Sequence, residues 1–431
     1  MESTLERLYT LASYTLKQLW GTGSYSKTTA TSLELDPSRV YDEYNEATIL
    51  RPKKRGAAQD IDPRSGDEIQ LNESNVVAVK VELNHLFSDG FPRYLMDAPR
   101  QQTTLVRYGI QGTGNTIGSS FERMFYDECF RDYSQVSPVG TVQYAKGAPL
   151  QLAFKEQLNG VLAPFAPDHL VHANSILGAA DVPTMDRFAL VSAFSAGDWA
   201  LAAPTAEGQS GANVGGSLVV AQGLQQGQFI PRSGFRFGPS NTINGQEPVN
   251  GGVSEAITAI AADTSVFFDG DEAVPTLLGA VQFTMAALNP NLAVGQIARL
   301  GPDNAPATAY GVILRLDSGS NSVYLVPYNH KGQKLVAAKL TLADRFSVPS
   351  IPYVNTVHQR EFLQFASRPL TPPAPGSGGI MASQVLPDYG VTVNFAIGGY
   401  IATKLQQPYV ATLLCGCQPS DHRQAALLLS A

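Results

Sequence analysis

Three glycines at positions 112, 114 and 118 form the part of the chain most similar to a cofactor-binding loop. The segment Gly112-Thr-Gly-Asn-Thr-Ile-Gly118 follows a strand-like apolar stretch and precedes a helical pattern. A glycine-rich loop in this context can hold the pyrophosphate of a dinucleotide at a helix N-terminus. The spacing is one residue longer than the dinucleotide pattern, and no second apolar strand ending in an acidic residue follows. We therefore expect a flexible turn before a long helix, with a dinucleotide-binding oxidoreductase as the alternative.

Asp168, His169 and His172 have side chains of the types that bind metal ions. They lie near a predicted helix start, where the two histidines can share one face. A metal site would need a further ligand, which the sequence does not supply. We therefore expect Asp168 to lie in a first helical turn, where a carboxylate is favourable.

Other candidates for chemistry are weaker. Three carboxylates crowd into one turn, at Asp269, Asp271 and Glu272. They lack EF-hand spacing and predict an exposed turn. The chain has no G-x-S-x-G, HExxH or Walker signature. His358 falls on a predicted helix beside a basic and an acidic residue, which indicates a salt-bridged surface or interface. The sequence therefore predicts no catalytic, metal or cofactor site, and a protein that is not an enzyme.

Charged residues are concentrated in one segment, between residues 46 and 84. Its nine candidate interface residues are Arg51, Lys53, Lys54, Arg55, Asp60, Asp62, Arg64, Asp67 and Glu68. The basic block could bind nucleic acid, but the acidic residues that follow cancel most of its field. A basic block on one copy can instead meet the acidic block of another copy and fix the register of a self-assembly. A merely solvated tip is the alternative.

Composition limits the class of protein. The 431 residues carry a net charge of -7, which argues against a bulk nucleic-acid binder. Only 16% of residues are charged, against roughly 25% in soluble domains, which favours a surface covered by other subunits. The three cysteines, Cys129, Cys415 and Cys417, lack zinc-ligand spacing and indicate a reduced, cytosolic setting. We predict neither a secretory signal nor a membrane span.

Residue periodicity predicts a mixture of helices and strands. Helical spacing of leucines predicts an amphipathic helix in the N-terminal 20 residues, and alternation over 46–84 predicts a long β-hairpin with a charged tip. The clearest helix covers 117–133, with Ser119 and Glu122 as a capping box. Further helices are predicted at 149–160, 167–179, 195–203 and 354–368, and strands at 187–192, 229–237 and 391–400. Regularly spaced short strands between 251 and 350 predict a small barrel or sandwich.

Three motifs resemble those of a known family. The first motif is similar to the family's strand that enters the axial domain, and it reads Val182-Pro-Thr-Met-Asp-Arg-Phe-Ala-Leu-Val-Ser192. The second is similar to a segment that follows that strand in the family, and it reads Gly234-Phe-Arg-Phe-Gly-Pro-Ser-Asn241. The stretch from Val357-His358 to Pro369-Leu370 resembles a third motif, although Glu361 replaces a small apolar residue. In this order they resemble the major capsid proteins of tailed double-stranded-DNA bacteriophages, the Hong Kong ninety-seven-like (Johnson) fold. The closest branch carries an inserted β-barrel.

The resemblance implies an α+β fold and a division of the chain. The expected parts are an N-terminal helix and arm at 1–45, an E-loop hairpin at 46–84, a peripheral domain with the spine helix at 85–140, a first axial part at 141–250, an inserted β-barrel at 251–350 and an axial/peripheral return at 351–431.

It also implies a structural function. We expect many copies to assemble, as hexamers and pentamers, into an icosahedral shell around phage double-stranded DNA, without sequence-specific contacts to that DNA. Expected partners are a scaffolding protein, a portal and a decoration protein. No cofactor, catalytic residue or membrane is expected, and assembly would take place in the host cytoplasm. An encapsulin-like compartment is the nearer alternative.

Overall fold

The structure of the chain is a computed structural model. It describes residues 25, 30–31, 46–52, 76–94, 99–131, 149, 151–206, 230–249, 254–262, 267–269, 272–274, 280–368, 370, 380–386, 391–398, 401 and 406–431. Within them the fold is α+β and consists mostly of strands, including one closed six-stranded barrel. The predicted N-terminal helix lies outside these residues.

The described elements are numbered in chain order. The helices are α1 (Pro99–Tyr126, continued by a π-helical turn Asp127–Arg131), α2 (Pro167–Ala179) and α3 (Ala193–Ala206). The first eleven strands are β1 (Ala30–Thr31), β2 (Glu46–Pro52), β3 (Val76–Glu82), β4 (His85–Tyr94), β5 (Gln151–Phe154), β6 (Arg187–Ser192), β7 (Ile230–Arg232), β8 (Phe235–Ser240), β9 (Ser254–Ala262), β10 (Phe267–Asp269) and β11 (Glu272–Val274). The others are β12 (Val281–Met285), β13 (Ile297–Gly301), β14 (Ala309–Asp317), β15 (Ser322–Leu325), β16 (Arg345–Ser347), β17 (Tyr353–Gln359), β18 (Leu363–Arg368), β19 (Ile380–Leu386), β20 (Val391–Ile397), β21 (Gln406–Pro419) and β22 (Ala425–Ser430).

A mixed six-stranded sheet, ordered β5-β22-β17-β6-β8-β7, is buried on both faces. Successive side chains of a strand point to opposite faces, so neighbours on β6 and β22 belong to different cores. Val191 and Leu428 pack with α2, α3 and the buried Trp199. Leu190 and Leu427 belong to the core on the opposite face. Burial on both faces explains why these strands are continuously apolar.

Helix α1 packs on a second sheet, ordered β1-β18-β21-β20-β19, in which β21 also pairs with β4. Its buried residues recur three and four positions apart, as an amphipathic helix requires. Phe121 and Phe125 meet Phe365 of β18, with ring centroids 5.3 and 5.5 Å away. The N-terminal arm is attached here too, because β1 pairs in parallel with β18 and the Tyr25 amide donates to Glu122 at 2.6 Å.

The barrel closes in the order β12-β15-β14-β13-β16-β9, with β9 pairing both β12 and β16. Its interior is filled by a separate apolar cluster that includes Phe283, Leu300, Ile313 and Phe346. The chain enters the barrel after β8 and leaves it before β17, and both strands belong to the first sheet.

Several predicted elements are correct. The helix at 167–179 coincides with α2, the strand at 187–192 with β6, and the helix at 195–203 lies within α3. The strands at 229–237 and 391–400 correspond to β7, β8 and β20.

Two predicted helices are wrong. The first, at 149–160, contains strand β5. The second, at 354–368, consists of β17, a short 3-10 turn and β18. Strand β17 is buried on both faces, so its apolar residues do not alternate, and their spacing imitated a helix.

Gly416 of β21 lies where β3 passes into β4, and there is no room for a side chain. A Cβ at this position would collide with the backbone carbonyl of Glu82 and lie 3.3 Å from the Leu83 Cα. We expect Gly416→Ala to lower the free energy of unfolding by about 2–3 kcal/mol, because backbone and not a flexible side chain must move. Urea denaturation measures the change.

The matched control is Gly112→Ala on α1, where a Cβ meets nothing within 4 Å. It should stabilise the helix by about 0.5–1 kcal/mol. Equal changes in the free energy of unfolding for Gly416→Ala and Gly112→Ala would contradict the close backbone contact at Gly416.

Candidate functional site

The structure places the base of the charged hairpin but not its tip. Strands β2 and β3 pair antiparallel from Glu46 opposite Glu82 to Pro52 opposite Val76, and Arg51 lies in β2 opposite Val77. The other eight candidate interface residues lie outside the described residues: Lys53, Lys54, Arg55, Asp60, Asp62, Arg64, Asp67 and Glu68. Their role at a subunit interface stays a prediction.

The glycine segment 112–118 is neither a turn nor a cofactor loop. It lies inside α1, which begins at Pro99, so the preceding stretch expected to be a strand is helical as well. In a helix interior the backbone N–H groups are used in the helix itself and cannot bind a pyrophosphate. The expected capping box is also wrong: the Ser119 hydroxyl donates to the Thr116 carbonyl at 3.0 Å, and Glu122 binds the arm.

His169 is a buried structural residue. It is 2% exposed, and its Nδ1 accepts the backbone N–H of Ala166 at 3.1 Å, so it helps to cap α2. Burial lowers its pKa to about 4. Asp168 lies in the first helical turn, as predicted, and pairs with Lys155 at 2.7 Å.

The described residues contain no group of three or more His, Cys, Asp or Glu side chains placed to hold a metal ion. In the acidic segment near residue 270, Asp269 at the end of β10 pairs with Glu272 at the start of β11. Asp271 lies outside the described residues.

His358 occupies an aromatic core, which corrects the prediction of a salt-bridged surface helix. It lies on β17 opposite Phe188 and is fully buried. The Phe130 and Tyr25 rings lie 5.4 and 6.3 Å from its own. Burial lowers its pKa to about 3, so it is neutral at pH 7. A neutral imidazole surrounded by aromatic rings supports packing.

One buried cluster of hydroxyls ties four elements together, namely β6, α3, β17 and β22. Asn355 on β17 accepts the Ser192 backbone N–H at 2.8 Å and donates to the Ser430 hydroxyl at 2.9 Å. The Ser192 hydroxyl donates to Ser195 at 2.8 Å. Within the described residues these hydroxyls bond to one another and to the Asn355 amide, and neither partner type is a base that activates a nucleophile. The cluster satisfies buried polar groups at the ends of β6 and β22.

The barrel is joined to the first sheet by a buried ion pair. Glu156, just after β5, accepts Arg299 Nε of β13 at 3.1 Å and the Tyr310 hydroxyl of β14 at 2.6 Å. It also accepts the backbone N–H of Ala307. The Glu156 side chain is 2% exposed and that of Arg299 10%. Burial, followed by the Glu156 charge, raises the pKa of Tyr310, so its hydroxyl stays a donor.

Sequence reasoning missed this junction. Glu156 falls in a segment that was expected to be helical, and Arg299 is one cation within an apolar strand. Such a cation in a barrel strand is a detectable signal, because an Arg surrounded by apolar residues needs a buried partner.

The three cysteines form a buried thiol cluster between α1 and the second sheet. All are free. The Cys129 and Cys417 Sγ atoms are 3.6 Å apart, and Cys415 Sγ lies 3.9 Å from Met124 Sδ. Glu128 also borders the cluster, with Oε2 3.4 Å from Cys417 Sγ, and contacts His85 through its other oxygen.

No protein-family model matches the chain, and no curated protein matches it. Solved structures do match over nearly the whole length. The capsid structure of Cyanophage P-SCSP1u aligns with 95% of this chain and 89% of its own, at 8% identity and a TM-score of 0.42. The capsid of Ralstonia phage GP4 aligns with 96% of this chain and 91% of its own, at 8% identity and a TM-score of 0.38. The mature capsid of bacteriophage PhiM1 aligns with 90% of this chain and 82% of its own, at 9% identity and a TM-score of 0.35.

The chain is similar to phage capsid structures. In each comparison the identity is below 25% and the TM-score below 0.5, so the likeness is distant. No helix in the described part of the chain is long and apolar enough to cross a membrane.

Proposed function

We propose that this chain is a structural major capsid subunit, many copies of which assemble into an icosahedral shell around phage double-stranded DNA. The observation that carries the proposal is the hairpin of β2 and β3. Among the described strands these two pair only with each other. Its base is anchored, where Val81 and Leu83 pack with Ala366 and Leu414.

A two-stranded ribbon has too little core to be stable alone. The charged segment 51–68 begins at the end of β2. A neighbouring copy provides the missing surface, and a closed shell requires such heterologous contacts on several sides of one chain. Hairpins and arms enlarge the interface of each copy beyond what compact edges supply.

The arrangement of the barrel supports the inserted-barrel branch of the Hong Kong ninety-seven-like fold. The chain leaves the first sheet, builds a closed barrel and returns to the same sheet. This order favours a phage shell over an encapsulin-like compartment. The dinucleotide-binding alternative is not favoured, because its glycine segment lies in α1. We keep the six-part division of the chain as part of the proposal.

The partners and location follow from the proposed shell. The subunit contacts copies of itself as hexamers and pentamers, a scaffolding protein, a portal and a decoration protein. It faces the packaged DNA without reading its sequence. It assembles in the host cytoplasm, is a component of the virion and performs no catalysis.

Negative-stain microscopy tests the proposal directly. The purified full-length chain, alone and co-expressed with its genomic neighbours, should form uniform closed shells. A chain that stays monomeric under every condition, including varied salt and pH, would overturn the capsid function.

Replacing residues 51–68 by a short Gly-Ser turn tests the hairpin. We expect the shortened subunit to fold, with an unchanged melting temperature, and to form no shells, because it loses the charged contact with its neighbour. Circular dichroism and microscopy measure the two properties. Shells closed by the shortened chain would show the hairpin role to be wrong.

Charge reversal distinguishes a register contact from a solvated tip. Lys53→Glu with Lys54→Glu should abolish assembly, and adding Asp60→Lys with Asp62→Lys should restore it, because opposite blocks then meet again. Lys331→Glu, on an exposed turn of the barrel region, is the matched control and should assemble normally.

A further inference from the structure

Cys129 and Cys417 lie far apart in sequence but meet in the fold. The first lies in the π-helical turn that continues α1, and the second lies near the end of β21. Both are buried, with exposures of 0% and 6%. Their sulfurs are 3.6 Å apart, so an approach of about 1.5 Å reaches the disulfide bond length of about 2.05 Å.

Cys415 is not part of this pair. It lies two residues before Cys417 on the same strand, and its sulfur is directed to Met124, 3.9 Å away. Cysteines so close along one strand do not bridge easily. The cluster therefore contains one well-placed pair and one spare thiol, which serves as an internal control.

We propose that Cys129 and Cys417 are a disulfide-forming pair, which on oxidation joins the end of α1 to the C-terminal strand β21. The oxidant is a small-molecule disulfide. One cysteine thiolate attacks it, forms a mixed disulfide and releases one small thiol. The second cysteine thiolate then attacks the protein sulfur of that mixed disulfide and releases the second small thiol. The two cysteine protons pass to the two released thiolates, so the reagent is reduced as the pair is oxidised.

The surroundings of the pair make this step slow in the folded subunit. Burial, with the neighbouring Cys129 and Glu128 groups, raises the pKa of the Cys417 thiol well above its usual value. Thiolate is the attacking species, so few molecules react at any moment. If the chain is a capsid subunit as proposed above, the thiols stay reduced in the cytoplasm and the bond forms after release. This timing rests on the proposed function, whereas the pairing rests only on the geometry.

The test uses the full-length protein in its purified state, subunit or shell. It is incubated with excess glutathione disulfide or with dithiothreitol, unfolded, and its free thiols are counted by alkylation and mass spectrometry. Oxidation should reduce the count from three to one and produce one peptide pair joining Cys129 to Cys417. The melting temperature of the oxidised form should rise by about 5 °C, because the bond closes a very long loop.

Cysteine variants decide the pairing. Cys415→Ser should still form the bond, whereas Cys129→Ser and Cys417→Ser should not. A bond that involves Cys415, or three thiols that stay free after prolonged oxidation of the wild type, would overturn the inference. As a positive control, the same oxidation is repeated in partial denaturant, where the reagent reaches every thiol, to confirm that the reagent is active. Microscopy scores shell formation independently, so failure of the pairing and failure of the capsid function are distinguishable.

Discussion

Replacing Glu156 by glutamine is expected to lower the free energy of unfolding by about 3–5 kcal/mol, because it leaves the buried charge of Arg299 without its counterion. Glutamine keeps the volume of the side chain and can still accept the Tyr310 hydroxyl. The loss therefore reports the charge, together with the acceptor that the Ala307 N–H loses, and not a cavity. Urea denaturation of the unassembled subunit measures it.

The matched control is an exposed ion pair of the same barrel. Arg345 donates to Asp303 at 2.7 Å, but both side chains are about half exposed. Solvent screens such a pair, so Asp303→Asn should change the free energy of unfolding by less than about 1 kcal/mol. Equal costs for Glu156→Gln and Asp303→Asn would show that the junction does not hold the barrel. Limited proteolysis adds a local readout, since a loosened barrel should be cut first within 286–296 or 301–308.

Acid should destabilise the subunit well above the range in which carboxylates titrate. Folding holds the pKa of His169 at about 4 and that of His358 at about 3, whereas an unfolded histidine has a pKa of about 6.5. The unfolded chain therefore binds more protons below pH 6.5. Stability is complete above that value and falls as the pH approaches the folded pKa values. The expected loss at pH 5 is about 2 kcal/mol for each histidine, or about 4 kcal/mol together.

Urea denaturation at pH 7, 6 and 5 measures this loss. His358→Phe removes one titrating group while keeping a ring among the aromatic side chains, and it should halve the difference between pH 7 and pH 5. Asp421 does not interfere: burial raises its pKa, but hydrogen bonds from Arg423 and the nearby His422 lower it to about 2. Its contribution is lost only below about pH 4. A wild-type chain equally stable at pH 7 and pH 5 would contradict the buried, neutral state of both histidines.

Local patterns predicted the elements whose signals were purely local. Helix α2 has Pro167 in its first turn and an acidic residue beside it, and the regularly spaced strands after residue 251 form the barrel as expected. Arg187, the basic residue of the first motif, is buried and donates to the Pro183 carbonyl at 2.8 Å and to the Asn174 side chain.

Elements decided by tertiary contacts were not predictable. Glycines at 109, 112, 114 and 118 oppose a helix, yet α1 runs through them because one face packs on a sheet. Gly109 itself is required by that packing, since a Cβ there would lie 2.5 Å from the Phe91 ring. Strand β17 looked helical because other elements pack on both faces of its sheet, so that Val354 belongs to one core and Val357 to the other. The junction at Glu156 and the thiol pair join residues distant in sequence. The isolated Arg299 signals that a buried partner exists, but no local pattern identifies which residue it is.

The barrel is inserted in the chain between two strands of the first sheet, which determines how a barrel can be gained or lost. Strand β8 ends at Ser240 beside Ser192, and β17 runs antiparallel to β6 from the same end. The two attachment points are thus separated by two strand spacings, about 10 Å, which three or four extended residues span. One insertion or excision at this edge adds or removes the whole barrel without changing the order of any strand in the sheet. The barrel is a replaceable module in connectivity, while Glu156 and Arg299 make its removal energetically costly.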